Sequence, residues 1–230
     1  MKKLIYLFIL AAPLFHSCAP KGTRITRAEA YPAFYNEQHP LSIIVMPPVN
    51  KTTNVDAKEN FYITMSRTLA ERGYYVVSPF LAMEMFQSES AYDAEMFITA
   101  PLNQFREVTG ADLALFTNIV DWKKSAIGSK VVVTVEYIMR STVSNETVFQ
   151  RTGTITYDTS VNTGAGGLAG AIANVAASAI STAVQSYLPI AGACNEAVLS
   201  DIPAGKYNPS YNTDQSVFAG PKTVSRTVKK

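Results

Sequence analysis

A cysteine close to the start of the chain is the residue with the clearest potential for chemistry. Cys18 follows Lys2 and Lys3, an apolar stretch over residues 4–15, and the small residue Ser17. That order is typical of a secretory signal segment whose cleavage site ends at a cysteine. The apolar stretch of about 12 residues is too short to span a bilayer, which takes about 20 residues. Cleavage would leave the Cys18 thiol at the new N-terminus, where it is available for covalent modification.

The arrangement around Cys18 resembles the signal segments of bacterial lipoproteins, in which the cysteine thiol is lipidated. We favour lipidation of Cys18, and the alternatives are an ordinary signal peptide with a chance cysteine and an uncleaved anchor. Ala19 follows the cysteine, in place of the aspartate associated with retention in the inner membrane. No acidic cluster that would suggest export to the cell surface follows either. We therefore expect a lipid anchor on the periplasmic face of the outer membrane.

Removal of residues 1–17 restricts the chemistry that the chain can perform. Loss of Lys2 and Lys3 leaves 18 of the 20 Lys and Arg residues against 18 Asp and Glu. A balanced net charge gives no overall electrostatic attraction to nucleic acid or to an anionic membrane surface. His39 becomes the only histidine, and we expect it to be solvated because it precedes Pro40 at the edge of a linker. Since zinc sites and the usual hydrolases need more ligands or a histidine base, we predict no catalytic residue, no metal site and no cofactor.

The second cysteine has no partner for an intrachain disulfide once Cys18 carries lipid. Cys194 lies among the small residues Ala191, Gly192 and Ala193. This setting favours a small buried hydrophobe. An intermolecular disulfide and a reactive thiol are the alternatives.

The chain divides into four parts by composition. Residues 1–17 form the signal peptide, and residues 18–40, which contain four prolines or glycines without a sustained period, are predicted to be a lipidated tether. Residues 41–202 are predicted to form a single domain. Residues 203–230 are rich in Asn, Ser, Pro, Gly and Tyr, and we expect an irregular C-terminal arm that is mobile beyond about Ser216.

Strands and helices alternate between residues 41 and 202. This order predicts an α/β fold with a mixed sheet of about five strands, packed helices and a C-terminal uncharged helix. Strands are predicted at residues 41–46, 74–77, 112–122, 130–140 and 146–157. Helices are predicted between Asp56 and Gly73 and at residues 80–86, 101–109, 165–187 and 191–199.

Local signals refine this prediction. Asp56 and Glu59 have the spacing of a capping box at the start of the first helix, and Pro47-Pro48 must end the first strand. Residues 112–122 are apolar on both alternating faces, which indicates a central strand covered on both sides. Residues 130–140 and 146–157 are predicted to form an antiparallel hairpin at an edge of the sheet. Gly153 is expected to mark a bulge in it.

The stretch from residue 159 to residue 195 carries no charged side chain. Leu168, Ile172, Val175 and Ile180 recur there at helical spacing, and we expect their stripe to be buried on the sheet or in a homodimer interface. Length alone also permits a membrane-inserting segment over residues 165–188. Polar residues are spread throughout the helix, which weighs against a span.

Four segments and their order resemble a known family. They are IIVMPPVN at residues 43–50, ERGYYVVSP at residues 71–79, TGADLAL at residues 109–115, and the ending at residues 193–207. Over roughly residues 38–210 the chain resembles a family of bacterial lipoproteins of unknown function that is related to a meningococcal-type surface antigen. The resemblance implies a domain similar to the N-terminal domain of TolB and to the periplasmic domain of CsgG, the curli secretion lipoprotein. Members are often encoded beside a CsgG-like lipoprotein, which implies a role in an envelope secretion assembly.

Three functional hypotheses follow. The first is a non-enzymatic outer-membrane lipoprotein that serves a CsgG-like export assembly as an accessory or structural component, with a CsgG-like lipoprotein as partner. The second is a periplasmic ligand-binding or enzymatic lipoprotein of unknown substrate, with a polar pocket formed by Asn50, Asn54, Asp121 and Lys123 near strand ends. The third is a membrane-inserting pore component that uses residues 165–188.

Overall fold

A mixed sheet of seven strands forms the centre of the described part of the chain. The structure is a computed structural model that describes residues 24–37, 39–88, 94–124, 129–162, 164, 167–184 and 187–229. Six strands follow the order β3-β1-β4-β5-β6-β7, and β2 pairs with β4 beside this path. The strands are β1 (Ser42–Val45), β2 (Val49–Asn50), β3 (Tyr75–Val76), β4 (Leu113–Lys124), β5 (Lys130–Ser141), β6 (Thr147–Asp158) and β7 (Thr223–Lys229). The predicted α/β fold is confirmed.

Helices cover both faces of this sheet. The helices are α1 (Arg27–Ala30), α2 (Ala57–Glu71), α3 (Pro79–Ser88), α4 (Asn103–Thr109), α5 (Gly167–Val184) and α6 (Tyr187–Leu199), with a π-helix at Ala33–Glu37 and a 3₁₀-helix at Glu95–Phe97. Helices α2 and α6 pack on one face, where Ile43, Leu113 and Tyr137 are fully buried. Helix α3 and the start of α4 cover the other face around Ile44 and Phe116. Burial on two faces explains why β1 and β4 are nearly continuous apolar runs.

The first strand is interrupted at Pro47-Pro48 and then resumes. Strand β1 pairs in parallel with β4 up to Val45 and Leu115, and β2 pairs with the same strand from Val49 and Asn118. The prediction that the prolines end β1 is confirmed, because proline has no backbone N–H to donate. The chain returns to β4 after three intervening residues, 46–48, and this return was not predicted from the sequence.

Helix α2 has the predicted apolar face but a different N-terminus. Phe61, Met65 and Leu69 are fully buried. Asp56 is the residue before the helix, yet its side chain makes no capping hydrogen bond, so the predicted capping box is wrong. Its conformation is helical (φ −83°, ψ −7°) rather than the extended one that side-chain capping requires. Gly73 follows the helix with φ 88°, as expected for a left-handed terminating glycine.

The predicted hairpin of β5 and β6 is antiparallel, but it does not lie at the edge of the sheet. Strand β7 pairs in parallel with β6 from Thr152–Thr223 to Asp158–Lys229, which makes β7 the outermost described strand on that side. The predicted irregular arm therefore contains a strand, and the expectation of mobility beyond Ser216 does not hold for this ordered pairing. Val224 and Val228 of β7 pack against the core, which explains the pairing of an otherwise polar segment.

Gly153 is not a bulge, since it pairs regularly with Val135 and the irregularity lies at Met139 and Arg140. A Cβ at Gly153 would lie 2.2 Å from Cγ2 of Val198. The glycine therefore permits the close approach of α6 to β6.

We expect Gly153→Ala to lower the free energy of unfolding by about 1–3 kcal/mol, because the new methyl group forces α6 away from the sheet. The matched control is Gly192→Ala in α6, where a Cβ finds no atom closer than 4.0 Å. This control should leave stability unchanged or raise it by up to about 1 kcal/mol. Urea unfolding of both variants measures the difference, and equal stability would show that α6 tolerates displacement at Gly153.

The uncharged helix α5 differs from its prediction in its surroundings. Ile172 and Val175 are 63% and 61% exposed in the protomer, so these two residues are not buried on the sheet. The side chains of Leu168 and Ile180, the other two residues of the predicted stripe, lie outside the described part of the chain. The dimer interface that was expected as an alternative stays a prediction. No helix among the described residues is long and apolar enough to cross a membrane.

Candidate functional site

The predicted lipidation site lies outside the described residues, which begin at Arg24, but the chain after it is held to the domain almost at once. The Ala219 N–H donates to the Ile25 carbonyl (2.9 Å). Thr26 caps α1 in a capping box, since its N–H donates to the Glu29 carboxylate (2.7 Å) while its Oγ1 accepts from the Glu29 N–H (3.3 Å). The part of the predicted 18–40 tether from Ile25 to Tyr35 is therefore packed on the domain.

A cluster of buried and half-buried charged and phenolic side chains joins this N-terminal segment to the C-terminal one. We call Arg27, Tyr31, Tyr35, Asp201 and Asp214 the terminal clamp. The Arg27 guanidinium lies 2.8 Å from the Asp214 carboxylate and 3.5 Å from that of Asp201. Tyr31 donates to Asp201 (2.7 Å) and Tyr35 donates to Asp214 (2.9 Å). Each carboxylate thus receives a cation and a phenol in a site with little access to water.

The two carboxylates of the clamp also accept hydrogen bonds from backbone N–H groups. Asp201 also accepts from the Gly220 N–H (2.8 Å), and Asp214 accepts from the Ala204 N–H (2.9 Å). Burial, followed by the hydrogen bond to a carboxylate, raises the pKa of Tyr31 and of Tyr35 well above the ordinary tyrosine value. Both phenols therefore stay protonated and act as donors at neutral pH.

Arg72 and Tyr74 extend the contact at the end of α2. The Arg72 guanidinium donates to the Ile202 carbonyl, and the Tyr74 hydroxyl donates to the Pro203 carbonyl (2.8 Å). Burial, and then the nearby Arg27 charge, lower the pKa of Arg72. These bonds fix the start of the C-terminal segment against the domain.

The sequence carries only one local signal of the terminal clamp. Arg27, Tyr31 and Tyr35 are spaced four residues apart, which places them on one side of a helical segment. Their acceptors, Asp201 and Asp214, are far away in the sequence, and nothing local to them predicts the pairing.

The two residues considered for catalysis in the sequence analysis do not come together into a site. His39 is exposed, and its Nδ1 lies 3.4 Å from the Tyr211 hydroxyl. Cys194 is fully buried in α6, and burial raises the pKa of its thiol. Its interpretation as a small buried hydrophobe is confirmed.

Asn195, the residue after Cys194, connects α6 to β5 and to α2 by hydrogen bonds. Asn195 in α6 is fully buried and accepts from the Tyr137 hydroxyl of β5. Its amide donates to Thr64 Oγ1 in α2 (2.9 Å). A buried polar group that finds partners on two neighbouring elements fixes their relative positions.

The four residues proposed for a polar pocket are engaged in local contacts. The Asn50 amide donates to the Asn54 carbonyl (2.7 Å), and its oxygen accepts from the Thr52 N–H (3.0 Å). Lys123 and Asp121 form an ion pair of 2.7 Å along β4. These bonds shape the loop after β2 and the exposed end of β4.

Asp112 organises the start of the parallel strands. Its carboxylate accepts from the N–H groups of Leu41 (2.9 Å) and Ser42 (3.2 Å), and it lies 2.8 Å from the Arg106 guanidinium. Partial burial opposes ionisation, but these donors outweigh it and hold the pKa of Asp112 below its ordinary value.

A carboxylate with a depressed folded pKa stabilises the protein above its unfolded pKa of about 4 and loses that contribution as the pH falls through the folded value. Asp112→Asn should therefore lower the free energy of unfolding by about 1 kcal/mol at pH 7, and the difference from the parent protein should shrink toward pH 2. Urea unfolding at pH 7, 4 and 2 measures this. Asp121→Asn, at the more exposed ion pair with Lys123, is the control and should have an effect below about 0.5 kcal/mol at each pH. An Asp112→Asn deficit that persists unchanged to pH 2 would contradict the role of its charge.

Helix α5 exposes large aliphatic side chains on one side. Ile172 and Val175 lie one helical turn apart, beside Ala171 and Ala176, and together they line a shallow apolar depression. The Ser178 hydroxyl accepts from the Val161 N–H (2.9 Å), which holds the helix to the segment after β6. We call Ala171, Ile172, Val175 and Ala176 the α5 face.

Comparison with known proteins identifies the family. The family model described as "Putative lipoprotein GNA1162-like" matches residues 30–207. The chain belongs to this family. The resemblance drawn from the sequence is thereby confirmed, and membership of a lipoprotein family implies a membrane-anchored place in the cell envelope.

Individual relatives are distant. The protein "Putative lipoprotein NMB1124/NMB1162" of Neisseria meningitidis serogroup B is 24% identical over 91 residues, which are 40% of this chain and 42% of the relative. The match thus spans less than half the length of this curated relative. Among solved structures, lipoprotein GNA1162 from Neisseria meningitidis has a TM-score of 0.47 at 17% identity and covers 64% of this chain and 100% of its own. The PelC dodecamer from Paraburkholderia phytofirmans has a TM-score of 0.41 at 17% identity and covers 70% of this chain and 85% of its own.

Proposed function

We propose that this GNA1162-like protein is a lipoprotein of the outer membrane that faces the periplasm. In this role it is a non-enzymatic accessory or structural component of a CsgG-like envelope secretion assembly. Membership of the lipoprotein family and the signal segment ending at Cys18 support the anchor. Ala19 after the cysteine supports the outer membrane over the inner one.

The observation that carries the role in an assembly is the α5 face. An uncharged helix that exposes two large aliphatic side chains is costly in water, at about 25 cal/mol for each Å² of apolar area. Adjoining exposed aliphatic side chains make this face a candidate for contact with another molecule. A lipid at Cys18 would supply membrane attachment, so the α5 face is free to bind a protein. We assign it to the contact with a CsgG-like lipoprotein, as the family resemblance suggests.

The hydrogen bonding of the buried carboxylates in the terminal clamp supports a non-enzymatic role. The carboxylates of Asp201 and Asp214 are satisfied by Arg27, two phenols and two backbone N–H groups. A general acid or base needs a free face toward a substrate. The terminal clamp instead directs its polar atoms toward one another.

Ile172→Asp tests the proposal. A carboxylate on the α5 face should remove the protein from its complex, because an unpaired charge would be buried at the contact. We expect at least about a tenfold weaker association, which corresponds to about 1.4 kcal/mol. The measurements are native complex size in detergent-solubilised envelopes and export of the assembly's substrate. The protomer should stay folded by circular dichroism, since Ile172 is exposed within it.

The matched control is Ile63→Asp, the same change at an isoleucine of α2 with 60% exposure. It should retain the complex. Equal behaviour of the two variants would contradict the assignment of the α5 face. Loss of a self-association alone, with export intact, would make α5 a homodimer contact and would contradict a role in secretion.

A further inference from the structure

A second apolar surface lies where the chain emerges from the predicted lipid anchor. Ile25, Val217 and Phe218 are 47%, 46% and 55% exposed, and we call them the N-terminal patch. Two segments form it, and they are joined by hydrogen bonds. The Ala219 N–H donates to the Ile25 carbonyl (2.9 Å), and the Arg27 N–H donates to the Val217 carbonyl (2.8 Å). The patch is therefore a defined surface of the domain rather than a loose end.

The position of the patch along the chain limits how far it can be from the lipid. Ile25 is seven residues after Cys18. Seven residues reach at most about 25 Å when fully extended, and a flexible chain of that length has a mean end-to-end distance of about 15 Å. A domain of about 200 residues is roughly 40 Å across, since its radius of gyration is about 16 Å. The tether is therefore shorter than the domain, and the patch belongs to the side that faces the membrane.

Basic side chains accompany the apolar ones. The Arg24 guanidinium lies 5.9 Å from the centre of the Phe218 ring. A groove in the surface begins at Ile25 of the N-terminal patch. Lys222 and Gln150 line this groove together with Ile25. Glu29 also lines this groove, but its carboxylate is engaged by Thr26, whose backbone and hydroxyl hydrogen bonds lower the pKa of Glu29.

Partly exposed aromatic and aliphatic side chains next to arginine and lysine are the composition that suits the boundary between lipid headgroups and acyl chains. Two cations against one engaged carboxylate favour the phosphate groups of phospholipids. No comparable argument favours a protein partner at this surface. The short tether and the two basic side chains thus both favour a phospholipid bilayer as the binding partner of the N-terminal patch.

We propose that the N-terminal patch docks onto the bilayer that holds the Cys18 lipid, with Arg24 and Lys222 beside the phospholipid phosphates. This inference rests on the lipid anchor of the proposed function. A single lipid leaves a domain free to rotate on its tether, and a second contact fixes its orientation. The domain then presents a constant face to partners in the periplasm.

A fluorescent label placed in the patch tests the docking. Full-length protein with Phe218→Cys is purified in its lipidated form, labelled with an environment-sensitive dye, and inserted into vesicles of phosphatidylethanolamine and phosphatidylglycerol. Cys194 is fully buried and does not compete for the dye in the folded protein. The control is Tyr75→Cys, an exposed aromatic position in β3, the strand at the other end of the sheet order from β7. Circular dichroism confirms that both proteins are folded.

We expect a blue-shifted emission from the label at position 218 and at least about twofold stronger quenching by headgroup-region spin-labelled lipid than at position 75. Equal quenching at the two positions would overturn the proposal. A blue shift without quenching by lipid would also overturn it, because it would indicate contact with a second copy of the chain. The mass of the purified protein reports acylation separately. Absence of acyl groups on Cys18 would contradict the anchor itself, so the two failures are distinguishable.

Discussion

Arg27→Ala should lower the free energy of unfolding by about 3–5 kcal/mol, because it leaves two buried carboxylates without their cation. The Arg27 side chain is 13% exposed, and those of Asp201 and Asp214 are 8% and 6% exposed. At these depths water compensates poorly for the lost charge. Urea unfolding followed by circular dichroism measures the effect.

The matched control for this prediction is Arg67→Ala. Arg67 also pairs with a carboxylate at 2.8 Å, that of Glu71, but the two side chains are 85% and 59% exposed. An exposed pair of this type contributes about 0.5 kcal/mol or less. Similar losses in the two variants would mean that the terminal clamp is as solvated as a surface pair. That result would contradict the description of the termini as parts of the fold.

The clamp also determines the effective length of the tether. If Arg27→Ala releases the N-terminal segment without unfolding the sheet, the distance along the chain from Cys18 to the first described residue held by the domain grows from seven residues to about twenty. The domain then moves further from the membrane. A protein whose fold survives should become more sensitive to proteases between residues 24 and 37, which limited proteolysis detects.

Cys18→Ser should abolish acylation and release the protein from the membrane. The serine hydroxyl cannot form the thioether to lipid, and a single signal segment of about 12 apolar residues is too short to replace it as a span. We expect loss of labelling by a palmitate analogue and transfer of most of the protein to the soluble fraction. Processed protein that stays in the outer membrane after a carbonate wash would contradict the anchor.

Elements with strong local patterns were predicted well. Residues 112–122 are apolar on both alternating faces, and β4 lies inside the sheet with helices on both sides. Helix α2 was predicted from the spacing of Phe61, Met65 and Leu69, because a repeat of about four residues needs no knowledge of the rest of the fold. The lipidation of Cys18 rests in the same way on a pattern confined to neighbouring residues, and it stays a prediction because the described residues begin at Arg24.

Features that depend on distant partners were missed. Strand β7 has only Val224 and Val228 as apolar residues, and its basic side chains suggest a solvated end. Its pairing with β6 joins residues about 70 positions apart, for which the sequence has no local signal. Gly153 was interpreted as a bulge, whereas its small size serves the contact with Val198 in α6. The terminal clamp was missed for the same reason.

The uncharged helix is predicted correctly as a helix, but the predicted surroundings of its apolar residues differ from those in the structure. Its spacing predicted a helix, and α5 is one. The same spacing suggested burial on the sheet, because hydrophobic periodicity reports which residues share a side but not what covers that side. Ile172 and Val175 are exposed in the protomer, so they share a side of α5 that faces away from the sheet core.

The most direct test of the account is a photocrosslink from the α5 face in native cell envelopes. A photoreactive amino acid replaces Val175 in the full-length protein, and a second version carries it at the exposed Val55 before α2 as control. We predict an adduct from position 175 that mass spectrometry identifies as a CsgG-like lipoprotein of the same envelope, with no such adduct from position 55. Adducts from position 175 with lipid alone, with a second copy of this chain alone, or with the same proteins as position 55 would contradict the proposed role.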